Sequence, residues 1–152
     1  MVILALNTGA RRGELLHLEW SAINLKLKQI TVSGHTAKSG NTRHIPLNTE
    51  ALAALKVWKQ VSPNTEGLVF PNRMGEPLTD IKRPWQALRD TAQLTNFRFH
   101  DLRHHFASKL VMKGVDLVTV RELMGHSDFK LTLVYSYLLP GHKADAVAKL
   151  CR

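Results

Sequence analysis

Six side chains, spread along the sequence from near its start to near its end, are of types that suit chemistry on a phosphate ester. Guanidinium groups bind phosphate oxygens in pairs with fixed geometry. A tyrosine hydroxyl can act as a nucleophile, and imidazole and ammonium groups can take up or deliver protons. The six residues are Arg11, Lys38, His100, Arg103, His126 and Tyr135.

Four short motifs carry these residues, and they differ in how specific they are. The most distinctive is HDLRH at residues 100–104, followed by LMGHS at 123–127, which has Tyr135 nine residues after its histidine. TGARRGE at 8–14 is moderately specific, whereas the lysine in AKSGNTRHIPL at 37–47 precedes a Ser-Gly turn of a kind that is common on protein surfaces. Their joint occurrence in this order makes coincidence an unsatisfactory explanation.

Taken together, the motifs resemble the catalytic half of the tyrosine recombinases, the phage-integrase family, from about Leu4 to Leu150. The resemblance implies a domain that is mainly α-helical with a small three-stranded antiparallel β-sheet, an α+β fold. It also implies cleavage and rejoining of double-stranded DNA through a 3′-phosphotyrosine intermediate, without a metal ion or any other cofactor.

The same resemblance assigns each residue a role. Two arginines would neutralise the scissile phosphate, most strongly in the five-coordinate transition state. A phenol ordinarily titrates near pH ~10, so attack by the tyrosine must be coupled to loss of its proton. The implied roles are phosphate binding for Arg11 and Arg103, attack for Tyr135, help with its proton for His100, a hydrogen bond to a nonbridging oxygen for His126, and protonation of the departing 5′ oxygen for Lys38.

Two of these positions have a rival in the neighbouring sequence. Arg12 adjoins Arg11, and the family pattern, which places the catalytic arginine two residues after the glycine, selects Arg11. Tyr137 is an alternative nucleophile, but it stands where the family usually has histidine, which favours Tyr135. Val134 occupies a position where an arginine is common, and the sequence offers no interpretation of that change.

The histidines and two acidic residues also have alternative readings. His100 and His104 have the spacing of a helical zinc pair, but no glutamate follows His100 as in HExxH. We therefore expect no metal site, and expect His104 to pack and form hydrogen bonds near the start of its helix. Glu14 and Asp101 are candidate anchors that orient Arg11 and the helix beginning at His100, although a purely structural role is equally compatible with the sequence.

Composition narrows the class of protein. A chain of 152 residues is long enough for one domain with its own core. With 21 Lys and Arg against 12 Asp and Glu, the net charge of +9 favours a polyanionic partner such as DNA. No apolar run approaches the ~20 residues of a membrane span, and one cysteine cannot form an internal disulfide. A cytoplasmic protein, bacterial or phage-encoded and close to the nucleoid, is the expectation.

Hydrophobic periodicity and turn residues predict the elements that would position the site. A helix over residues 100–112 should bury Leu102, Phe106 and Leu110. Another, capped by Asp116, should end at Gly125, and a further helix capped by Ser127 or Asp128 should carry Tyr135. The remaining predicted elements are strands at Gln29–Val32, Thr36–Ala37 and His44–Ile45, and helices at Ala51–Trp58 and within 79–94.

Family members usually carry a helical DNA-clamping domain before the catalytic one, and a further helix before the first motif. We therefore expect residues 1–152 to be a single catalytic domain that lacks both. Family members act as tetramers on two duplexes, so we expect self-assembly on DNA in that context, and a monomeric or weakly associated chain on its own. The apolar stripe within residues 144–150 would pack on its own domain or on a partner.

Two other functional classes remain open at this point. A non-catalytic DNA-binding module could use residues 116–137, which have a helix-Gly-helix pattern like a helix-turn-helix. That interpretation gives His100, Arg103 and Lys38 no purpose. A type IB topoisomerase would share the cleavage chemistry without exchanging strands between duplexes, but the short chain and the motifs favour a recombinase.

Overall fold

Helices are the main regular elements of the computed structural model, which describes residues 1–34, 42–62 and 65–139. The predicted Lys38, the predicted strand at Thr36–Ala37 and the stripe within 144–150 lie outside the described residues. The helices are α1 (Val2–Thr8), α2 (Arg12–Leu16), α3 (Thr49–Val61), α4 (Lys82–Thr91), α5 (Asp101–Met112), α6 (Leu117–Met124) and α7 (Lys130–Leu133), with 3-10 turns at Trp20–Ala22 and Ser136–Leu138.

A three-stranded antiparallel sheet lies between α2 and α3, in the order β1 (Ile23–Asn24), β2 (Gln29–Val32) and β3 (Arg43–Pro46). Ile30 of β2 pairs with Ile45 of β3, and both side chains are buried. The mainly α-helical fold with one small antiparallel sheet is confirmed. Strand β1 was not predicted, because two residues are too few to show an alternating pattern.

Two hydrophobic clusters form the core. The larger one joins α1, the sheet and α3, and includes Leu4, Ile45 and Leu55. The smaller one lies between α5 and α6, and Tyr135 is part of it. The predicted nucleophile is therefore also a core residue. No helix among the described residues is long and apolar enough to cross a membrane.

Helix α5 is the element that joins these two clusters, because it packs on both α1 and α6. The predicted buried stripe is partly wrong. Leu102 is buried, but Phe106 and Leu110 are only half-buried. The helix buries Arg103, Ala107 and Val111 instead. Apolar periodicity alone could not predict this buried face, because its first residue, Arg103, is charged. Its guanidinium is hydrogen-bonded to backbone carbonyls inside the protein.

Helix α6 has the predicted boundaries, and both of its ends have a clear physical cause. The Asp116 side chain accepts a hydrogen bond from the Thr119 backbone N–H at 2.9 Å, which caps the first turn. Gly125 ends the helix in the left-handed region, with φ 61°, which residues with a Cβ adopt reluctantly. The chain thereby turns sharply just before His126.

Tyr135 does not lie on a helix, so that prediction was wrong. Helix α7 is only four residues long, and Asp128, one residue before its N-cap Phe129, accepts a bond from the Lys130 backbone N–H at 2.8 Å. The chain then tightens, because the Tyr135 N–H donates to the Thr132 carbonyl three residues back, at 3.0 Å. Tyr135 consequently sits in the turn between α7 and the 3-10 turn at Ser136–Leu138, with its ring in the core.

The junction between α1 and α2 generates a stability prediction. Gly9 has φ 62°, and a Cβ there would collide with the Phe106 ring and come within 3.0 Å of the Met124 sulfur. Gly13 is helical, and a Cβ there would meet nothing within 4 Å. We expect Gly9→Ala to lower the free energy of unfolding by about 2 kcal/mol or more. Gly13→Ala should leave it unchanged or raise it slightly. Urea unfolding monitored by circular dichroism compares the two, and equal stability for both variants would contradict the packing described.

Candidate active site

A cleft of about 420 Å³ brings together five of the six residues that the sequence singles out. They come from α2, α5, the turn after α6 and the turn after α7. The sixth, Lys38, lies outside the described residues. The lining residues are Arg11, His100, Arg103, His104, Met124, His126, Ser127, Leu131, Val134 and Tyr135.

Arg11 is placed by the start of helix α2, where it is the residue that precedes the first turn. Its backbone N–H donates to Glu14 Oε2 at 2.7 Å, and its Nη1 donates to Glu14 Oε1 at 2.9 Å. The carboxylate therefore fixes both the backbone and the head of Arg11. This is the anchoring contact that the sequence suggested for Glu14.

The carboxyl end of helix α6 is bound by three guanidinium groups. The last carbonyls of a helix have no partner within it and carry its partial negative charge, so cations are favourable there. Here three consecutive carbonyls each accept a bond from a different arginine. The pairs are Arg43 Nε with Leu123 at 3.2 Å, Arg103 Nη2 with Met124, and Arg11 Nη2 with Gly125 at 2.9 Å. We call Arg11, Arg43 and Arg103 the three-arginine cluster.

Glu14 is the counter-ion of this cluster. Besides its two bonds from Arg11, it accepts Arg43 Nη1 at 3.0 Å and Arg43 Nη2 at 2.7 Å. Burial opposes ionisation of Glu14, but the hydrogen bonds from Arg43 and Arg11 outweigh it and lower its pKa from 4.5 to about 2. One carboxylate against three guanidiniums leaves the group with a net charge of two positive units.

Arg103 is the most deeply buried of the three arginines, with 3% of its surface exposed. Its Nη1 donates to the Gly9 carbonyl at the end of α1, so one side chain joins the ends of α1 and α6. Burial and repulsion from Arg11 lower the pKa of Arg103 to about 9, and it remains a cation at neutral pH. A buried cation with a depressed pKa gains from any anion that enters the cleft.

His126 follows Gly125 directly and enters the cleft from the end of α6. Its Nδ1 lies 2.9 Å from the hydroxyl of Thr132, which is fully buried. Nε2 is then the ring nitrogen left for a ligand. Burial and the charges of Arg103 and Arg11 lower the pKa of His126 to about 4, so the ring is neutral at pH 7. A bound anion would offset the arginine charges and raise that pKa again.

The Tyr135 hydroxyl bonds to His104 rather than to His100, with 2.6 Å between the oxygen and Nδ1. The His100 ring in turn meets the His104 ring edge to face, with centroids 5.0 Å apart. Burial raises the pKa of Tyr135, whose exposed fraction is 5%. The rival Tyr137 is 80% exposed and does not line the cleft.

Within the part of the chain that the structure describes, the side-chain hydrogen bonds of Asp101 go to Arg98 and not to the three-arginine cluster or a histidine. It accepts the Arg98 backbone N–H at 2.7 Å and the Arg98 Nη2 at 3.0 Å. Both bonds stabilise the start of α5, where a negative charge is also favourable toward the helix dipole. Asp101 therefore acts on the cleft through the placement of the helix that carries His100 and Arg103, and its charge also favours the protonated form of His100.

Sequence reasoning missed Arg43 and gave His104 only a general role in packing and hydrogen bonding near the start of its helix. The alternation of side chains along a β-strand could have identified Arg43. Arg43 and Ile45 are two residues apart, so both face the buried side of β3. For His104 no spacing in the sequence could have foretold the contact, since its partner Tyr135 is 31 positions away and is presented by an irregular turn. No group of three metal-binding side chains occurs in the part of the chain that the structure describes.

Comparison with known proteins agrees with this geometry. The family model described as "Phage integrase family" matches residues 1–142. The chain belongs to the phage integrase family. It is 31% identical to the integrase of Salmonella phage P22 over 95% of its own length and 40% of that protein's. It is 34% identical to tyrosine recombinase XerC of Xanthomonas campestris, over 87% of its own length and 41% of that protein's. The chain thus spans less than half the length of these relatives.

Solved structures place the fold of this phage-integrase-family chain among catalytic domains. The catalytic domain of bacteriophage HP1 integrase superposes with a TM-score of 0.73 at 26% identity, over 97% of this chain and 78% of that one. The Tn1549 transposon integrase, in complex with a circular intermediate DNA, superposes with a TM-score of 0.79 at 20% identity, over 99% of this chain and 57% of that one. The fold class expected from the motifs is thereby confirmed.

The Glu14 carboxylate gives this family member a testable pH dependence. Because its pKa falls from 4.5 to about 2 on folding, its contribution to stability is complete above pH 4.5 and is lost as the pH falls through about 2. We expect the stability advantage of the wild type over Glu14→Gln to be constant near neutral pH and to shrink by up to roughly 3 kcal/mol in acid. Urea unfolding at a series of pH values measures it, with Glu66→Gln as the exposed control. An advantage that persists undiminished at pH 2 would contradict the ion pairing.

Proposed function

We propose that this chain is the catalytic part of a site-specific DNA recombinase or integrase. It cleaves and rejoins DNA strands through a 3′-phosphotyrosine intermediate. The observation that carries the proposal is the shared cleft, in which Arg11, Arg103 and His126 line the same space as Tyr135. Two cations, an imidazole and a phenol around one cavity provide a phosphate-binding group, a hydrogen-bond donor and a nucleophile.

The charge of the site supports phosphoryl transfer without a metal. A phosphodiester carries one negative charge, and its five-coordinate transition state carries about two. The three-arginine cluster with Glu14 has two positive charges in excess, held by bonds that are already made. Each cleft-lining arginine uses both Nη atoms for protein contacts but keeps further N–H groups, since a guanidinium has five. The site therefore needs little reorganisation when the negative charge develops.

The reaction follows from these positions. The Tyr135 oxygen attacks phosphorus, the bond from phosphorus to the 5′ oxygen breaks, and a 3′-phosphotyrosine and a 5′-hydroxyl result. The Tyr135 proton passes to an imidazole, and Lys38, as the family resemblance implies, protonates the 5′ oxygen. Attack by a 5′-hydroxyl of another strand reverses each transfer and reseals the DNA. One phosphoester bond is exchanged for another, so no ATP is consumed.

The imidazole nearest to that proton is His104. Its Nδ1 is 2.6 Å from the Tyr135 oxygen, and its ring adjoins that of His100. We assign His104 the first contact with the phenol, and His100 the onward role of base or relay that the motif implies. Burial, with electrostatic repulsion from nearby groups that include Arg103, lowers the pKa of His100, which keeps its ring neutral and able to accept a proton at pH 7.

Double-stranded DNA is the proposed substrate. The chain has a net charge of +9, and two of the similar structures, the Tn1549 integrase and the XerH recombinase, are complexes with DNA. We further propose assembly as a tetramer on DNA when the remaining part of such a protein is present, and a monomeric or weakly associated state for this chain alone. Its place of action would be the bacterial cytoplasm, with the nucleoid.

A non-catalytic DNA-binding role receives less support. Helix α7, which would be the recognition helix of the alternative, has four residues, so it is too short to present a reading face to the major groove. The turn that follows it buries Tyr135 rather than exposing it. A type IB topoisomerase remains compatible with the cleft, and strand exchange between two duplexes separates it from a recombinase.

Covalent trapping tests the proposal. A nicked suicide duplex that carries the cognate site should give a DNA adduct on Tyr135, located by mass spectrometry of the tryptic peptide. Tyr135→Phe should abolish the adduct while DNA affinity stays within about threefold, since no charge is removed. Tyr137→Phe is the matched control two residues away, and it should form the adduct normally.

Two results would overturn the assignment. An adduct that survives Tyr135→Phe, or one that is lost only with Tyr137→Phe, would make Tyr135 a core residue alone. Binding of the cognate duplex without any adduct would favour the non-catalytic alternative.

A further inference from the structure

Arg43 is a buried cation that the reaction above does not use directly. It begins strand β3, has 9% of its surface exposed, and is not among the residues that line the cleft. Arg43 therefore does not line the cleft in which a substrate phosphate would bind. Whatever Arg43 contributes to function must pass through the residues that it contacts.

Those contacts join the two parts of the site that carry Arg11 and His126. Its Nη1 and Nη2 bind the two oxygens of Glu14 side by side, and Glu14 in turn holds the backbone and head of Arg11. Its Nε binds the Leu123 carbonyl, three residues before His126. One planar group thus spans from α2 to the end of α6, and every nitrogen of its guanidinium has an acceptor.

The bridge also depends on the bare backbone of Gly125. A Cβ at that position would lie 2.9 Å from both Cδ and Nη1 of Arg43. Arg43 therefore packs flat against the residue that turns the chain toward His126. The glycine serves two purposes here, since its φ of 61° also ends helix α6. The Arg43 side chain thus occupies the space that a Cβ at Gly125 would fill, directly beside the turn that carries His126.

The position of Arg43 in the sequence adds a third connection. Lys38 lies five positions earlier, in the segment between β2 and β3. Arg43 is paired with Val32 across the sheet, so it is the first residue of β3 in register with the end of β2. The strand that follows Lys38 is therefore fixed to Glu14 and to α6 at its first residue.

We propose that Arg43 is a positioning residue for strand cleavage, which sets the separation and orientation of Arg11 and His126 by tying Glu14 to the carboxyl end of helix α6. The inference rests on the function proposed above. Only arginine suits the task, because its fork can hold a carboxylate bidentately and still offer Nε to a carbonyl. A lysine has a single charged nitrogen, which can pair with Glu14 but cannot span to Leu123 at the same time.

Energetics support a positioning role over a purely stabilising one. A buried ion pair is weak evidence for stability, because apolar residues of the same volume often stabilise a fold as well or better. What the Arg43 bridge adds is a defined geometry between two elements distant in sequence. A misplacement of about 1 Å in such a site can lower the rate on the order of 100-fold.

Single-turnover cleavage of the cognate suicide duplex, measured beside DNA affinity, tests the proposal. Arg43→Gln should lower the cleavage rate on the order of 100-fold, with the dissociation constant for DNA changed by less than about threefold. Arg43→Lys should fall between Arg43→Gln and the wild type. Arg73→Gln is the charge-matched control, since it removes an arginine from an exposed turn and should cleave at the wild-type rate. The proposal is overturned if Arg43→Gln folds and cleaves within about threefold of the wild-type rate. If Arg43→Gln does not fold, cleavage by Arg43→Lys at the wild-type rate overturns the proposal instead.

A double-mutant cycle shows whether Arg43 acts through Glu14. The variant with both Arg43→Gln and Glu14→Gln should cleave no more slowly than the slower single variant, to within about threefold. If the fold-losses in cleavage rate of the two single variants multiply in the double variant, Arg43 acts by a route other than Glu14, and the proposal fails.

A second measurement does not depend on cleavage, so it separates this inference from the proposed function. The Glu14 carboxyl can be titrated by carbon-13 NMR in the wild type and in Arg43→Lys. Loss of the bidentate contact should raise its pKa above about 2. If the wild type forms no adduct, the proposed function fails, while this titration still decides whether the bridge exists. An unchanged Glu14 pKa in the variant would refute it.

Discussion

The carboxyl end of one eight-residue helix organises the whole site. Three consecutive carbonyls at the end of α6 bind the guanidiniums of the three-arginine cluster, and these come from α2, β3 and α5. Each bond satisfies a carbonyl at the end of the helix, where partners within the helix run out, and each places a cation at the negative end of the helix dipole. The same contacts therefore assemble the fold and concentrate positive charge beside His126.

Charge of one sign cannot be gathered in a protein interior without compensation, and Glu14 provides it. Its two oxygens accept four bonds, two from Arg11 and two from Arg43, so it is fully ionised and fully engaged. Its single negative charge is too little to neutralise the cluster. Burial and, after it, this excess of positive charge depress the pKa values of Arg103 and His126, and the part due to charge would be offset when a phosphate enters. In the proposed function, phosphate binding and catalysis would both draw on this one electrostatic imbalance.

Much of this arrangement could be read from the sequence, and the exceptions have physical causes. Turn and cap residues such as Asp116 and Gly125 act locally, so the bounds of α6 were correctly predicted. Only the family motifs predicted that one cleft would hold Arg11, Arg103, His126 and Tyr135. No local sequence pattern predicts a contact such as that of Arg103 with Gly9, which are 94 residues apart. The irregular turn at Tyr135, and with it the bond to His104, arises from packing between α5 and α6 and leaves no periodic trace in the sequence.

The claim on which the rest depends is that arginine side chains, and not a metal ion, supply the positive charge for cleavage. Single-turnover cleavage of a suicide duplex bearing the cognate site, measured in EDTA and again in magnesium, tests it most directly. Equal rates of 3′-phosphotyrosine formation are expected in the two conditions, since the cations that stabilise the transition state are fixed in the protein. An adduct that forms only when a divalent ion is present would contradict it.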